Sequence, residues 1–306
     1  MPEVSVVVPL YNKAMYVERC VASVRAQTFV DFEVIVVDDG STDSSVEDMC
    51  RAFAGDRRFR LVSQANGGVS KARNTGIEHA AAELIAFLDA DDEWRPGYLE
   101  AIVAAARRHP QAVLIGTGFE VLYAGRDLYR RHGAFGARTL VPAAQVLEAW
   151  GRLRSCPLFI GATAMRRAAL RAVGGFEPGM HLGEELLVFL RLLQMGDLSF
   201  DDRPLATYHQ SAAGSLSTSP SLAAIRGHRK LVDEMARQVR LGRCPEAIYR
   251  RWLGIHVGYL MDAGQRAELI RVLCRVPRDL EPRQWLAGLL EILGMRGVLR
   301  RLLGRA

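Results

Sequence analysis

Features that would mark a membrane-spanning, secreted or zinc-binding protein are absent from this 306-residue sequence. No apolar run approaches the roughly 18 residues that a membrane-spanning helix needs. The acidic Glu3 and the strand-like run after it do not resemble a signal peptide. The five cysteines are odd in number, widely spaced and never in a C-x-x-C pair, which argues against a disulfide framework and a zinc site. These absences predict a protein of the reducing cytoplasm.

Lysine is scarce as well, because only Lys13, Lys71 and Lys230 stand among the 40 basic residues. The positive charge is therefore almost all arginine, and it is unevenly distributed. Residues 221–306 hold 17 Lys and Arg against 8 Asp and Glu, whereas residues 1–220 hold 23 against 26. The net charge of +6 thus comes from the last part of the chain. No recognised nucleic-acid-binding motif accompanies that charge, and we predict no nucleic-acid partner.

The chain is 49% hydrophobic, enough to bury a large core, and its first part alternates between strand and helix patterns. β-branched apolar runs predict strands at 4–10, 33–37, 59–63, 84–88 and 112–116. Helical spacing predicts helices over 14–27, 44–53 and 69–82, and a fourth with Pro96 in its first turn. A capping box of Ser44 and Glu47 is expected to open the second helix. Such alternation predicts an α/β fold with a mixed, mainly parallel sheet and helices on both faces.

The pattern changes in the rest of the chain. Strands are predicted at 117–124, 158–165 and 204–210, with a helix over 183–194. The stretch 211–220 is the most linker-like segment, and everything after it has helical spacing. We therefore predict a sheet-containing domain over residues 1–215 and an all-helical appendage over residues 216–306.

Three polar clusters follow predicted strands directly. They are Pro9-Leu10-Tyr11-Asn12, the run from Asp38 to Asp43, and the run from Asp89 to Asp92. Because ligands bind beyond the carboxyl ends of parallel strands, these clusters are expected to meet at one edge of the sheet.

Asp89 and Asp91 are separated by one residue after a buried strand, so their carboxylates can converge on one site. Two neighbouring carboxylates repel each other unless a cation lies between them. Mg²⁺ or Mn²⁺ takes such oxygen ligands and commonly shares them with a substrate phosphate. The alternative is an Asp-rich turn that caps the helix near Pro96, which explains one aspartate, Asp92, rather than three.

Two further motifs have both a ligand-binding and a structural interpretation. Asp38 and Asp39 begin an Asp-Asp-Gly-Ser turn, yet a carboxylate there can also accept the imide N–H of a uracil. The helix opening Gly67-Gly68-Val69-Ser70-Lys71-Ala72-Arg73-Asn74 suits a ribose-phosphate, although it lacks the Walker pattern.

Gly183-Glu184-Glu185 places two acids in a first helical turn. The helix dipole favours acids there, which is the structural interpretation. The functional interpretation is a general base whose pKa is raised by its like-charged neighbour. Among the histidines, His209 is the main candidate because it ends a predicted strand just before the linker, and His181 is a weaker one. The others are interpreted as ordinary helix or loop residues: His79, His109, His132, His228 and His256.

In order and spacing, these motifs resemble family 2 glycosyltransferases of the GT-A fold. The matching blocks are Val-Val-Val-Pro-Leu-Tyr-Asn (6–12), Val-Val-Asp-Asp-Gly-Ser-Thr-Asp (36–43), Asn-Gly-Gly-Val-Ser-Lys-Ala-Arg-Asn-Thr-Gly (66–76) and Phe-Leu-Asp-Ala-Asp-Asp (87–92), followed by Gly-Gly-Phe (174–176), the Gly-Glu-Glu and Tyr-His-Gln-Ser. The resemblance covers about residues 3–215. It implies a Rossmann-like nucleotide-sugar-binding domain that transfers a sugar, commonly from a UDP-sugar, to an acceptor hydroxyl with inversion at the anomeric carbon.

The resemblance also implies residue roles. The nucleotide-sugar site would be formed by Pro9, Tyr11, Asn12, Asp38, Asp39, Arg73, Asp89 and His209. Asp91, with Asp89 beside it, would bind the Mg²⁺ or Mn²⁺ that bridges the diphosphate. Glu185, next to Glu184, falls at the base position, where the family usually has Asp. The extra methylene moves the carboxylate by about one bond length, and a misplaced base can cost on the order of 100-fold in rate.

Family habit implies a role in bacterial surface polysaccharide, lipopolysaccharide or exopolysaccharide synthesis, with a saccharide or a lipid-linked saccharide as acceptor. Two other functions stay open, a nucleotide-sugar-binding or scaffold protein without catalysis and a sugar nucleotidyltransferase. The nucleotidyltransferase is disfavoured because such enzymes need a Gly-rich basic loop after the first strand, where this chain has Leu-Tyr-Asn-Lys-Ala.

The last residues of the chain form an amphipathic pattern. Its apolar stripe consists of Met295, Val298, Leu299, Leu302 and Leu303, with arginines largely off it. A basic amphipathic helix can lie on an anionic membrane surface, which would place the protein peripherally on the inner face of the cytoplasmic membrane. The equal alternative is packing against the first domain or a second subunit, so an oligomer also stays open.

Overall fold

A computed structural model describes residues 1–123, 126–132, 135, 139–153, 156–180, 182–210, 221–275 and 279–292. The strands are β1 (Val4–Leu10), β2 (Phe32–Asp38), β3 (Phe59–Ser63), β4 (Leu84–Phe87), β5 (Glu93–Trp94), β6 (Leu114–Tyr123), β7 (Arg126–His132), β8 (Thr139–Val141), β9 (Thr163–Arg166) and β10 (Leu198–Gln210). The helices are α1 (Ala14–Arg25), α2 (Ser45–Ala52), α3 (Val69–His79), α4 (Tyr98–Arg108), α5 (Ala143–Arg152), α6 (Arg167–Ala172), α7 (Glu184–Leu192), α8 (Leu222–Arg240), α9 (Glu246–Asp262), α10 (Arg266–Arg275) and α11 (Pro282–Ile292).

One mixed sheet organises the fold. Its strand order is β3-β2-β1-β4-β9-β6-β10-β5, with β7 paired to β6 and β8 to β10. The first four strands in this order run parallel, whereas β9 lies antiparallel between β4 and β6. β6 and β10 are again parallel. The predicted α/β fold with a mixed sheet, followed by C-terminal helices, is thereby confirmed.

Alternating side chains of the parallel strands explain why helices cover both faces of the sheet. Val4, Val6 and Val8 of β1 belong to one hydrophobic core with α1 and α4, while Val7 belongs to the other with α3. Helix α3 lies so close to β1 that a Cβ on Gly76 would be 2.2 Å from Val7 Cγ1. Glycine at this position therefore sets the distance between the helix and the strand.

Several predicted strand boundaries are wrong. The strands expected at 112–116 and 117–124 are one continuous strand, β6. β10 begins at Leu198, well before the expected start at 204. The early part of the strand was missed because register shifts around Pro204 interrupt the regular alternation of its side chains. Of the strand expected at 158–165, only β9 is extended, and a 3₁₀ turn precedes it.

One detail at each of two predicted helix starts is also wrong. Ser44 Oγ donates to Asp48 Oδ2 at 2.7 Å instead of forming the expected capping box with Glu47. Pro96 lies before α4, which begins only at Tyr98. In both places a polar or proline residue marks the approach to a helix without entering its first turn.

The C-terminal helices share a hydrophobic core with the sheet. α8 packs on α7 and α9 on α5, and Leu231 and Leu253 lie in the same core as Val7. The domain boundary at residue 215 therefore stays a prediction. The linker-like stretch 211–220 and the predicted amphipathic helix near residue 300 lie outside the described residues. Among the helices that the structure describes, none is both long and apolar enough to cross a bilayer.

Candidate active site

The carboxyl ends of β1, β2 and β4 meet at one edge of the sheet. Leu10 at the end of β1 is paired with Asp38 at the end of β2, and the Asp39 amide donates to the Leu10 carbonyl at 2.8 Å. On the other side of β1, the Leu88 amide donates to the Val7 carbonyl, just before the third polar cluster. The three clusters that follow these strands therefore lie side by side, as the sequence predicted.

Asn12 shapes the turn between β1 and α1. Its φ of 51° lies in the left-handed region, which asparagine tolerates better than most residues. Its Oδ1 accepts a hydrogen bond from the backbone amide of Thr42 at 2.8 Å, and its backbone amide donates to Ser41 Oγ at 3.2 Å. These bonds join the turns after β1 and β2 and leave Tyr11 exposed and Pro9 partly exposed at the edge.

The buried Asp39 carboxylate closes the beginning of α3. It accepts from the Gly67 and Gly68 amides at 2.9 and 2.8 Å and from Gln64 Nε2 at 2.6 Å. It thereby satisfies amides that a helix N-terminus leaves unpaired. Asp38 accepts a hydrogen bond from the backbone of its own turn at 2.9 Å. Both carboxylates therefore have structural partners, and the glycine amides considered for a phosphate are engaged by Asp39.

Arg73 is the centre of a buried ionic cluster. Its Nη1 donates to Glu184 Oε1 at 2.9 Å, and its Nη2 donates to Asp89 Oδ1 at 2.8 Å. The side chain is only 3% exposed and lies over the Phe176 ring. Burial alone would lower the pKa of Arg73, but the Asp89 and Glu184 carboxylates raise it above its ordinary value. One charged guanidinium thus links α3 to the end of β4 and to the start of α7.

Lys13 supplies the cation at the next carboxylate of the cluster. Its ammonium forms an ion pair with Asp91 Oδ2, and both side chains remain partly exposed. Burial would lower the pKa of Lys13, but the Asp91 carboxylate raises it above its ordinary value. Arg19 donates to the backbone carbonyl of Asp91. Basic side chains just before and in the middle of α1 therefore hold the loop after β4.

Asp92 is buried and does not cap α4. One carboxyl oxygen accepts the His209 amide at 2.8 Å, and the other has no hydrogen-bond partner among the described residues. Burial, and then the Asp89 and Asp91 carboxylates, raise the pKa of Asp92 well above its ordinary value. Asp92 fixes the end of β10, where His209 Nε2 lies 3.0 Å from Glu93 Oε1.

Glu184 and Glu185 open α7 directly after Gly183, whose φ of 75° is a left-handed conformation that favours glycine. Glu184 is buried and bound to Arg73, whereas Glu185 is partly exposed. Burial of the carboxyl group, and then the Glu184 carboxylate, raise the pKa of Glu185 to about 8, against the lowering effect of Arg73. Such a carboxylate is suited to accept a proton near neutral pH.

The structure therefore joins residues that the sequence had treated separately. Arg73, predicted as part of the nucleotide-sugar site, contacts Asp89 and Glu184, which belong to two different acidic clusters. Lys13 and Glu93 were not singled out as site residues at all. Lys13 had one available signal, since it is one of three lysines and directly follows a matched motif. His181 lies outside the described residues.

A divalent cation is compatible with the carboxylates at this edge. In the described part of the chain, no set of three or more His, Cys, Asp or Glu side chains converges as a metal-binding group. Asp91 nonetheless presents a carboxylate that is 29% exposed, with the oxygen ligands that Mg²⁺ and Mn²⁺ prefer. Mg²⁺ is usually held by one or two carboxylates together with substrate phosphates. The chemistry of Asp91 therefore fits a cation that arrives with a phosphate-bearing ligand.

Comparison with known sequences points to one family. Residues 5–174 match glycosyl transferase family 2. The chain is 38% identical over 129 residues to an uncharacterized glycosyltransferase, EpsJ, of Bacillus subtilis, a match over 42% of this chain and 37% of that protein. It is 40% identical over 100 residues to the chondroitin synthase of Pasteurella multocida, a match over 33% of this chain and 10% of that protein. The matched segment thus spans little more than a third of EpsJ and about a tenth of the chondroitin synthase.

Comparison with solved structures extends over nearly the whole chain. The crystal structure of S. aureus TarS (residues 1–349) in complex with UDP-GlcNAc superposes with a TM-score of 0.73 at 18% identity. The likeness covers 98% of this chain and 90% of that chain, so it is not confined to the sheet. At this identity it establishes the fold, and the GT-A fold implied by the sequence motifs is confirmed.

Proposed function

The chain belongs to glycosyl transferase family 2, and we propose that it is an inverting glycosyltransferase that moves a sugar from a UDP-sugar to an acceptor hydroxyl. The observation that carries this proposal is the buried Arg73, which holds Asp89 at 2.8 Å and Glu184 at 2.9 Å. Donor binding and proton removal would thereby share one rigid site. The choice of UDP is supported by the TarS structure with UDP-GlcNAc, whose fold this chain shares.

The donor would lie across the carboxyl ends of β1, β2 and β4. Pro9, Tyr11 and Asn12 would contact the base and ribose, with the exposed Tyr11 ring offering an apolar face. Asp38 would support Asp39, whose Oδ2 accepts one described hydrogen bond and has capacity for a second, from the imide N–H of uracil.

The diphosphate and donor sugar would lie nearer the end of β4. Asp89 would contact the ribose or the donor sugar while Arg73 holds it in place, and His209 would lie near the diphosphate. Asp91, with Asp89 beside it, would hold Mg²⁺ or Mn²⁺, which when bound stabilises the charge that develops on the departing diphosphate.

Glu185 would take the proton from the acceptor hydroxyl. Glu184 is already bound to Arg73, whereas Glu185 is partly exposed at the start of α7. The acceptor oxygen would form its new bond at the anomeric carbon on the face opposite the diphosphate, and the bond to the diphosphate would break, which inverts the configuration. Because the base must be ionised, the rate should rise with pH through a value of about 8 for the pKa of Glu185.

The proposed setting is assembly of a bacterial surface polysaccharide, lipopolysaccharide or exopolysaccharide. The names of the relatives, which include glycosyltransferases and a chondroitin synthase, support this choice. The acceptor would be a saccharide or a lipid-linked saccharide, met in the cytoplasm or at the inner face of its membrane. The alternative is a nucleotide-sugar-binding or scaffold protein, which is favoured by one observation, Glu185 at a position where the family usually has Asp.

The first test is calorimetric titration with UDP, with GDP and TDP as controls, in the presence and absence of Mn²⁺. We expect UDP to bind in preference to the other two and to bind more tightly with Mn²⁺. If none of the three nucleotides binds to a demonstrably folded sample, the donor site is wrong.

The second test separates the enzyme from the scaffold. Glu185→Gln should keep UDP binding and lower the release of UDP from its UDP-sugar by about 10²- to 10⁴-fold, since it removes only the proton acceptor. The exposed Glu47, replaced by Gln, is the matched control and should leave the rate unchanged. Unchanged turnover in Glu185→Gln would contradict the assignment of Glu185 as the base. UDP binding without any turnover in the unsubstituted chain would favour the scaffold protein.

A further inference from the structure

Two cations already pair with carboxylates of the acidic cluster after β4, and their side chains differ in exposure. Arg73, at Asp89, has a side chain that is 3% exposed and is also held by Glu184. Lys13, at Asp91, has a side chain that is 36% exposed. Lysine is a compact charge on a flexible four-carbon stem, so its contact can be exchanged without disturbing the core.

The backbone of Lys13 is fixed, whereas its ammonium is at the end of a partly exposed side chain. Its amide donates to Ser45 Oγ at 2.7 Å, which ties the start of α1 to the start of α2. The ammonium lies 5.6 Å from the centre of the Tyr16 ring, close to the loop that carries Asp91. Any alternative position for this charge must therefore lie within one side-chain length of the Lys13 Cα, at the start of α1.

We propose that Lys13 is an internal competitor for the divalent cation at Asp91. In the donor-free protein its ammonium occupies the carboxylate, and it turns away when the cation enters together with a nucleoside diphosphate. The displaced ammonium then meets the diphosphate, which supplies the negative charge that it loses at Asp91. This inference rests on the proposed function, because it takes Asp91 as the cation-binding carboxylate.

Such competition makes cation and nucleotide binding cooperative. A cation alone must break the ion pair between Lys13 and Asp91 without compensation, so its affinity is low. A cation that arrives with a diphosphate provides a new partner for the ammonium, so each ligand raises the affinity for the other by the same factor.

The experiment measures Mn²⁺ alone, by the loss of its free electron paramagnetic resonance signal, with no nucleotide or sugar present. Lys13→Met should bind Mn²⁺ about tenfold more tightly than the unsubstituted chain, the effect of removing roughly 1.4 kcal/mol of competition. Lys13→Met with Asp91→Asn should lose this binding. Lys230→Met is the matched control, because Lys230 also forms an ion pair, with Glu177 at 2.9 Å, but away from the sheet edge.

A second arm adds UDP to the same samples. The unsubstituted chain should show mutual tightening of Mn²⁺ and UDP, and Lys13→Met should show several-fold less of it. Unchanged or weaker Mn²⁺ binding in a folded Lys13→Met protein overturns the inference, as does tightening that persists without Asp91. If UDP binds nowhere but Lys13→Met still tightens Mn²⁺ through Asp91, the competition at Asp91 holds, and it is the proposed donor site that fails.

Discussion

The sheet edge and the C-terminal helices bury their titratable groups in opposite ways. At the sheet edge Arg73 is buried in contact with Glu184 and Asp89. In the helices, His228 and His256 are 0% and 2% exposed, and their rings stack with centroids 5.4 Å apart. Among the described residues, neither imidazole has a hydrogen-bond partner. Both histidines do lie in helices, but their interpretation as ordinary residues missed their burial against each other.

The two kinds of burial have different energetic costs. Burying an ion pair has a desolvation cost that the attraction within the pair only partly offsets, so stability alone does not explain the cluster around Arg73. A neutral imidazole, in contrast, has no net charge to desolvate, and the ring of His228 also contacts Trp252 and Tyr259. The sheet edge thus buries a charged group, whereas the helices bury this pair of histidines in the neutral form.

The largest expected effect comes from removing the buried cation at the sheet edge. Arg73→Met leaves Glu184 and Asp89 without their cation, and we expect a loss of about 3–5 kcal/mol in the free energy of unfolding. Urea denaturation measures this loss. Replacing Glu184 by Gln in the same protein should restore part of it, because one uncompensated charge is then removed.

Arg107→Met is the control for the same substitution at an exposed pair. Arg107 contacts Glu3, and the two side chains are 66% and 37% exposed, so the loss should stay below about 1 kcal/mol. Equal losses at Arg73 and Arg107 would mean that the buried cluster has no special energetic role.

Acid should destabilise the buried pair of neutral histidines. Burial, and then His256, lower the pKa of His228 to about 3, and burial, and then Arg229, lower the pKa of His256 to about 4. In the unfolded chain both titrate near 6.5, so below that pH the unfolded state binds protons that the folded state does not. Stability should therefore fall as the pH drops from about 6.5 towards 4.

Thermal unfolding of His228→Phe across this pH range tests the assignment. The phenyl ring keeps the packing and removes one titrating group, so the variant should lose less stability on acidification than the unsubstituted chain. The same substitution at the exposed His79 should leave the pH dependence unchanged. A His228→Phe protein as acid-sensitive as the original would contradict the role of the pair.

The smallest expected effect concerns the contact between the two regions. A Cβ on Gly183, at the start of α7, would lie 2.9 Å from Leu231 Cδ2 in α8. Gly55 has a similar φ of 78° but nothing within 4 Å of such a Cβ. Both Gly→Ala changes should cost about 1–2 kcal/mol for the left-handed backbone, and Gly183→Ala should cost about 1 kcal/mol more in urea denaturation.

Equal costs at Gly55 and Gly183 would show that α8 yields readily at this contact. The two regions would then be joined more loosely than their common core suggests.

Local patterns predicted the parts of the molecule that depend on neighbours in sequence. The polar residues after β1, β2 and β4 were placed at one edge because the ends of parallel strands must meet there. The apolar runs predicted β1 to β4 nearly to the residue, and β1, β2 and β4 are buried on both faces, whereas β3 is partly exposed.

Contacts between distant residues were beyond reach of the same reasoning. Nothing near Arg73 in the sequence indicates that its partner is 111 residues away. Helix capping was the only structural role considered for Asp92, because its actual partner is the amide of His209, which β10 brings to it. The continuity of β10 was hidden by the irregular register around Pro204.

The long separation between Arg73 and Glu184 also has a consequence during protein synthesis. A ribosome adds about 5–20 residues per second, so Glu184 leaves it roughly 6–20 seconds after Arg73. Over that interval β1 to β4 and their helices are available to fold, while the guanidinium has only Asp89 as a partner. The nascent chain therefore passes through a stage in which the edge formed by β1, β2 and β4 can assemble before the carboxylates of α7 are synthesised.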